Sequence, residues 1–239
     1  MTKLSELNIP LIVSGKGSPL IILHGFMSSK EAFLPHIKYF SNYFTVVVPD
    51  LCGFGENQPM PYPYSLNDYL NDFYKIVNCF EQKVNVIGHS FGCRILLKAM
   101  ATGEKINKAV LCGAAGLKGK PTFKKVVKSS VYRLIRPLFK KEKLEKIFFS
   151  SDYNMLSKVQ KQSFLKVVNE YLDGLLININ NPVFAVFGEN DRETPLNTVG
   201  KKLQKGIKDI AVYKMKNCGH FCFAEKPNEF CAIAKEFLL

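Results

Sequence analysis

Strand-sized apolar runs alternate with segments of helical periodicity along most of this chain, and this alternation restricts the fold more than any other feature. Runs of apolar, mostly β-branched residues occupy positions 20–23, 45–48, 84–87, 109–111, 183–187 and 210–213. Helical spacing occupies positions 31–43, 66–80, 91–101, 196–205 and 228–237. Because uninterrupted apolar strands are typical of sheets covered on both faces, we predict an α/β fold with a mostly parallel, doubly wound sheet. Residues 9–13 are expected to add an antiparallel strand.

One long segment interrupts the alternation and contains helical patterns only. Apolar residues from Phe123 to Phe139 follow one helical face with cations opposite, and Pro137 is expected to kink or end that helix. A second helical pattern covers 159–171. The predicted organisation is a core formed by 1–117 and 172–239, with a helical cap inserted at 118–171.

Positive charge is concentrated in the first part of the predicted cap. The chain carries a formal net charge of +13, and the 29 residues from Lys118 to Lys146 carry +9 of it, with eleven Lys or Arg against two Glu. We favour a solvated cationic face on the cap. Weak association with an anionic membrane surface and steering of an anionic substrate are the alternatives. We expect no nucleic-acid partner, because Tyr132 is the one candidate for base stacking outside the apolar face.

The composition is that of an ordinary globular protein. Hydrophobic residues make up 47% of the 239 residues. No apolar run approaches the length of a membrane-spanning helix, and the first residues carry no apolar signal segment, so we expect a soluble, cytoplasmic protein. The seven cysteines are scattered, and we expect buried, reduced thiols. A metal site formed by Cys218, His220 and Cys222 is the weaker alternative, because no second ligand cluster completes it.

The segment Gly88-His89-Ser90-Phe91-Gly92 lies between a predicted strand and a predicted helix. A sharp strand-to-helix turn strains its central residue, and the positions two residues to either side must lack bulk, as Gly88 and Gly92 do. Such a turn exposes the Ser90 hydroxyl at the start of the helix. Ser90 is therefore the candidate nucleophile, and a serine that only caps the helix is the alternative.

A serine hydroxyl becomes an effective nucleophile when a base takes its proton and a carboxylate orients that base. Of the four histidines, His220 lies on a loop after the last predicted strand, where open α/β sheets build their sites. His89 adjoins Ser90, and the turn is expected to direct its side chain away. His24 follows a strand, and His36 falls in a helical pattern. We therefore predict His220 as the base.

Three carboxylates compete for the orienting role, directly after the strand at 183–187. We choose Asp191, which follows Gly188 by three residues and so lies at the mouth of the strand. Glu189 lies nearer the strand end. Glu193 is expected to enter the next helix.

Charge that develops on a reacting carbonyl oxygen needs hydrogen-bond donors already directed at it. The backbone amide of Phe91, at the predicted helix N-terminus, is one candidate for this oxyanion hole. The second is the amide of Phe26, on the loop after the first parallel strand, with Met27 as the alternative. We expect His24 to hold this loop by hydrogen bonds.

Five motifs together resemble the α/β-hydrolase superfamily, in its compact, cap-bearing serine hydrolase branch. They are His24-Gly25-Phe26, Pro49-Asp50-Leu51-Cys52-Gly53-Phe54-Gly55, Gly88-His89-Ser90-Phe91-Gly92, Gly188-Glu189-Asn190-Asp191 and Gly219-His220-Phe221. The resemblance covers nearly the whole chain outside the predicted cap. It implies a triad of Ser90, Asp191 and His220, a structural role for the turn at Asp50, and no metal or organic cofactor.

The predicted function is hydrolysis of the carboxylic ester of a small-molecule acyl substrate, through an acyl-enzyme on Ser90. Carbon–carbon bond hydrolases and perhydrolases with the same triad remain alternatives within the branch. A non-catalytic binding protein on the same fold is a third possibility, because a fold alone does not determine a function. The cap residues match no motif that would identify the substrate.

Overall fold

A seven-stranded sheet forms the centre of the protein in a computed structural model, which describes residues 2–119 and 151–239. The strands are β1 (Leu11–Ser14), β2 (Pro19–Leu23), β3 (Thr45–Pro49), β4 (Val84–His89), β5 (Ile106–Cys112), β6 (Val183–Gly188) and β7 (Ile210–Met215). Their order is β1-β3-β2-β4-β5-β6-β7, in which β1 is antiparallel to β3 and the other pairs are parallel. The six predicted runs all lie within these strands, and the predicted fold class is confirmed.

Helices cover both faces of the sheet. They are α1 (Thr2–Ser5), α2 (Leu34–Phe40), α3 (Leu66–Val77), α4 (Phe91–Thr102), α5 (Ser151–Met155), α6 (Lys158–Val168), α7 (Lys201–Gly206), α8 (Cys222–Glu225) and α9 (Pro227–Leu238). Single turns of 3₁₀-helix lie at Lys30–Phe33 and Asp173–Asn178, and a π-helical turn, Leu196–Gly200, leads into α7.

Successive residues of a strand face two different cores, which explains why β2 is apolar at every position. Ile21, Val86 and Leu111 pack in one core, with side chains from α3 and α4. Ile22, Ile87 and Val110 pack in the other, with side chains from α2 and α9. Each such side chain is fully buried and contributes about 1.5–3 kcal/mol of hydrophobic stabilisation.

Helices α3 and α6 begin with the same capping arrangement. At the start of α3 the hydroxyl of Ser65 accepts the amide N–H of Asp68, whose carboxylate accepts the N–H of Ser65 in return. Ser157 and Gln160 form the equivalent pair at the start of α6. Each pair satisfies two backbone donors that a helix N-terminus leaves free, so the sequence fixes where these helices begin.

The predicted cap falls only partly within the described residues. The helix predicted from Phe123 to Phe139 and most of the basic segment lie outside them, so the division into core and cap stays a prediction. The described residues from 151 to 182 form helices and turns. This stretch returns the chain to β6, which pairs in parallel with β5. Across residues 2–119 and 151–239, no helix combines the length and apolar character needed to cross a membrane.

Candidate active site

Ser90 occupies a strained turn between β4 and α4. Its backbone lies at φ 48° and ψ −106°, a conformation that non-glycine residues rarely adopt. A Cβ atom on Gly92 would lie 2.4 Å from the backbone oxygen of Leu23, and one on Gly88 would lie 2.9 Å from the amide nitrogen of Cys93. The glycines therefore allow β4 and α4 to approach closely enough to hold the turn. The backbone amide of Ser90 donates to the Cys112 carbonyl at 2.9 Å, which ties the turn to the end of β5.

The structure brings the three predicted triad side chains into one hydrogen-bonded chain. The Ser90 hydroxyl lies 2.9 Å from Nε2 of His220. Nδ1 of His220 lies 2.9 Å from Oδ2 of Asp191. Because an ionised carboxylate only accepts hydrogen bonds, Nδ1 must be the donor, which leaves Nε2 free to accept the proton of Ser90. This tautomer is the one that a general base requires.

The loops that follow β6 and β7 hold Asp191 and His220 against each other. The Asn190 amide donates to the Cys218 carbonyl at 2.9 Å. A Cβ atom on Gly188 would lie 2.0 Å from the Gly219 carbonyl oxygen, so only glycine allows the two loops to pack this closely. The parallel strands thus deliver both side chains to one edge of the sheet.

Local electrostatics favour an ionised acid beside a basic imidazole. Burial opposes ionisation of Asp191, but its hydrogen bonds with His220 and Thr194 outweigh burial and lower its pKa to about 2. Burial likewise opposes protonation of His220. The hydrogen bond to Asp191 and the charges of Asp191 and Glu193 outweigh it, so the pKa of His220 lies above its ordinary value.

The competing carboxylates take positions that the sequence did not resolve. Glu189 accepts hydrogen bonds from Nζ of Lys214 at 3.0 Å and from the amide of Asn217 at 3.2 Å. The expectation that Glu193 enters the next helix is wrong, because the π-helical turn begins only after the extended Pro195. Instead Oε2 of Glu193 lies 3.5 Å from Nε2 of His220, and its side chain is 67% exposed.

The side chains of His89 and His24 form hydrogen bonds with the backbone of loops around the site. Nε2 of His89 donates to the backbone carbonyl of His220 at 3.1 Å, and burial together with the charge of His220 lowers the pKa of His89 to about 3. Nδ1 of His24 donates to the Gly25 carbonyl at 2.7 Å, while its Nε2 accepts the amide of Leu51 at 2.9 Å. Neutral imidazoles at both positions therefore fix loops around the triad.

The loop that carries Phe26 meets the start of α4. The Phe26 ring packs edge-on against Phe91 at 5.7 Å and against Phe54 at 4.8 Å. Met27 follows at φ 58°, which turns the chain sharply. In the described part of the chain, the amides of Phe26 and Phe91 donate to no protein acceptor. Both amides therefore remain predicted donors of the oxyanion hole, with Met27 as the alternative.

The proposed structural turn at Asp50 lies at the edge of this loop system. The Asp50 carboxylate accepts hydrogen bonds from Nζ of Lys30 at 2.7 Å and from the Glu56 amide at 2.8 Å. Gly55, at φ 54°, leaves room for that carboxylate, since a Cβ atom there would lie 2.3 Å from it. These contacts hold the turn and do not reach the triad.

A cavity of about 700 Å³ opens beside Ser90 and His220. Most of its wall is apolar and comes from the Phe26 loop, α4, α5, α6 and the loop after β7. Its apolar lining includes Phe26, Phe91, Tyr153, Leu156, Phe164, Val167, Val168 and Phe221. Charged groups enter it at Arg94, Arg192 and Glu193. The site can therefore take an organic acyl group of moderate size.

Comparison with known proteins decides the family. The sequence profile described as the alpha/beta hydrolase fold matches residues 18–141, which is more than half of the chain. The chain belongs to the α/β-hydrolase family. This α/β hydrolase is 25% identical over 259 aligned residues to a 2-hydroxy-6-oxo-6-(2'-aminophenyl)hexa-2,4-dienoic acid hydrolase of Metapseudomonas resinovorans, and the match covers 94% of this chain and 85% of that protein.

Solved structures give the same fold for this α/β hydrolase. A serine hydrolase involved in carbazole degradation superposes with a TM-score of 0.75 at 21% identity, covering 96% of this chain and 94% of that one. A membrane phospholipase A superposes with a TM-score of 0.78 at 21% identity, covering 96% and 82%. At these identities the likeness concerns the fold alone.

Two residues of the hydrolase site, Thr194 and Arg94, were missed by sequence reasoning, and so was the contact of Glu193 with His220. Thr194 donates its hydroxyl to Oδ2 of Asp191 at 2.8 Å and lies 3.4 Å from Nδ1 of His220. Its position three residues after Asp191 and before a proline could have indicated this turn. Arg94 and the contact of Glu193 with the imidazole left no signal in the sequence.

Cys222 belongs to the alternative metal site that the sequence offered. Its sulfur lies 3.4 Å from Cys112 Sγ.

Proposed function

We propose that this α/β hydrolase cleaves an acyl bond of a small organic substrate by nucleophilic catalysis at Ser90. The observation that carries the proposal is the continuous hydrogen-bonded chain from Ser90 through His220 to Asp191, at the wall of a cavity. Such a chain supplies a nucleophile, a base and an orienting anion in the positions that acyl transfer requires.

In the first half of the reaction, Oγ of Ser90 attacks the carbonyl carbon while Nε2 of His220 takes the hydroxyl proton. The carbonyl π electrons move to oxygen, and the amides of Phe26 and Phe91 are the proposed donors to that oxyanion. When the carbonyl re-forms, the bond to the leaving group breaks and the leaving group takes the proton from His220. The product is an ester of Ser90, and Asp191 stays ionised throughout.

In the second half, water attacks the acyl-enzyme and gives one proton to His220. The tetrahedral intermediate then releases the carboxylic acid, and Ser90 regains its proton from His220. The raised pKa of His220 is suited to both steps, because a base near the working pH can take and return a proton readily.

Two kinds of bond are candidates for this chemistry. Hydrolysis of a carboxylic ester needs only the triad and an oxyanion hole. Cleavage of a carbon–carbon bond beside a ketone uses the same attack, but its leaving group must take the proton on carbon. The match to a 6-oxo-dienoic acid hydrolase over 94% of the chain favours this second candidate at least as strongly. We therefore propose both, and a substrate panel distinguishes them.

The test combines covalent labelling with a substrate panel. We expect a fluorophosphonate probe to modify Ser90, identified by mass spectrometry of the peptide, and Ser90→Ala to abolish labelling and turnover, by roughly 10⁴-fold or more. Ser41→Ala is the matched control, since Ser41 adjoins Gly15 at the opposite end of the strands. The panel contains 4-nitrophenyl esters of graded acyl length and 2-hydroxy-6-oxo-dienoates with methyl or phenyl at the ketone.

Each outcome has a definite meaning. Turnover of esters alone supports the esterase, and turnover of the dienoates with release of a carboxylic acid supports the carbon–carbon hydrolase. Absence of both labelling and turnover in a folded protein would refute the proposal and favour a binding protein on a hydrolase fold.

A further inference from the structure

Arg94 is a buried cation without a carboxylate partner in the part of the chain that the structure describes. It lies on α4 four residues after Ser90, and both residues line the same cavity. Only 6% of Arg94 is exposed. Charged residues are rarely buried unless they are paired, because removal from water penalises the charge.

The hydrogen bonds of Arg94 use one end of its guanidinium. Nη1 donates to the carbonyl of Val167 at 2.9 Å and to the carbonyl of Glu170. The carboxylate of Glu170 accepts a hydrogen bond from Nζ of Lys98, and its charge acts on Arg94 although the two side chains form no ion pair within the described residues. Within residues 2–119 and 151–239, Nε and Nη2 of Arg94 have no protein acceptor, and neither is among the fully buried unpaired polar atoms. These two donors are therefore free to bind a ligand in the cavity that Arg94 lines.

The surroundings of Nε and Nη2 favour binding of a carboxylate over a neutral group. Apolar side chains such as Phe164 and Val167 form the wall beside it. In such surroundings a charge-assisted hydrogen bond is stronger than in water, and an unpaired cation is unfavourable. The planar arrangement of Nε and Nη2 matches the two oxygens of a carboxylate. A neutral acyl chain would leave both donors unpaired.

We infer that Arg94 forms a carboxylate-binding subsite, which selects substrates carrying an acid group on the acyl portion that reacts with Ser90. The inference rests on the ester candidate of the proposed function, because the dienoates carry their acid group on the portion that leaves. It adds the substrate class: an apolar acyl compound with one anionic end. Arg94 also anchors the end of α6 through its carbonyl contacts. The experiments must therefore separate ligand binding from a purely structural role.

The kinetic test compares two esters of similar length that differ in charge. The anionic substrate is the 4-nitrophenyl monoester of glutaric acid, and the neutral one is 4-nitrophenyl hexanoate. We expect Arg94→Met to lower kcat/KM about 10- to 100-fold more for the anionic ester than for the neutral one, the equivalent of one or two hydrogen bonds to a charge. Succinyl and adipyl monoesters then report how far the subsite lies from Ser90.

Lys98→Met is the matched control. Lys98 lies one turn after Arg94, holds the same segment through Glu170, and is absent from the cavity wall. Lys98→Met removes the same charge and loosens the same segment, so it should change kcat/KM by the same factor for both esters. Equal loss for both esters in Arg94→Met would assign Arg94 a structural role and overturn the inference. If Arg94→Met does not fold, Arg94→Lys preserves the charge without the planar fork and should still lose selectivity for the anion.

A binding measurement keeps this inference separate from the proposed function. Titration calorimetry on Ser90→Ala uses 4-phenylbutyrate and the neutral 4-phenylbutanamide as probes. We expect the carboxylate to bind more tightly, and the double variant Ser90→Ala with Arg94→Met to lose that preference. If wild type turns over no acyl substrate but this preference is found, the proposed function fails and the subsite stands. If neutral esters are hydrolysed and no preference is found, the subsite fails alone.

Discussion

Replacing Asp191 by asparagine changes one atom at the centre of the proposed triad, and the structure determines which one. Oδ1 of Asp191 accepts the amides of Glu193 at 2.8 Å and Thr194 at 2.9 Å. An amide group can accept only through its oxygen, so the oxygen of the new side chain must stay there. Its NH₂ then takes the place of Oδ2 and faces Nδ1 of His220. The imidazole must move its proton to Nε2, which can no longer accept the proton of Ser90.

The expected magnitude follows from this change of tautomer. The same substitution in a serine triad of unchanged geometry lowers kcat by about 10⁴-fold, which corresponds to about 5 kcal/mol in activation free energy. We expect Asp191→Asn to lower ester turnover and the rate of fluorophosphonate labelling by this order, with the melting temperature little changed. Both rates are measured on the same preparation, so loss of folded protein is detected directly.

Glu189→Gln is the matched control for this experiment. It makes the same chemical change two residues away, at an exposed carboxylate that is hydrogen-bonded to Lys214 and Asn217. We expect less than about fivefold change in turnover, because water screens an exposed ion pair and it contributes little. If Asp191→Asn retains more than a tenth of wild-type turnover, or if Glu189→Gln is the variant that loses activity, the tautomer argument is refuted.

Three further predictions follow from other parts of the structure. The Glu193 carboxylate raises the pKa of His220, so Glu193→Gln should lower that pKa. Because His220 acts as a base when neutral, the acid limb of the kcat/KM profile should move to lower pH, and an unmoved limb contradicts the contact. Gly92→Ala should lower the melting temperature by about 5 °C or more, since its Cβ would lie 2.4 Å from the Leu23 carbonyl; an unchanged Tm by calorimetry contradicts this packing. The basic segment 118–146 should remain solvated, so we expect no sedimentation with anionic vesicles, whereas binding reversed by about 0.5 M salt would indicate membrane association.

The sheet and the position of the turn could be read from the sequence because both depend on local pattern. Strands buried on both faces carry uninterrupted apolar runs, and β2 shows this directly. Gly88 and Gly92 are needed because a Cβ atom at either position would clash. The groups it would meet belong to the turn and the start of α4 or to Leu23 of β2. Chain order and strand ends were the basis for choosing Asp191 and His220 over their competitors, and the structure brings these side chains together with Ser90.

The rest of the site depends on contacts between residues that are distant in the sequence. Glu193 reaches His220 because the hydrogen bonds of Asp191 fold its own loop back, and Pro195 delays the following helix. Helical periodicity after residue 195 gave no indication of that turn. Arg94 occupies a helical position where a charged residue would ordinarily face solvent, and α6, more than 60 residues further along, buries it. No local pattern encodes such a contact.

This division between local and distant contacts has a functional counterpart in the proposed reaction. The triad stands on the ends of β4, β6 and β7, and its loops are fixed by backbone contacts such as Asn190 to Cys218. Part of the wall that a substrate's acyl group would meet comes from α5 and α6, outside the sheet. Arg94 belongs to both parts, because its helix begins at the nucleophile turn and its guanidinium holds the end of α6. A change in α6 can therefore alter how the guanidinium meets a substrate while the hydrogen bonds between Ser90, His220 and Asp191 stay in place.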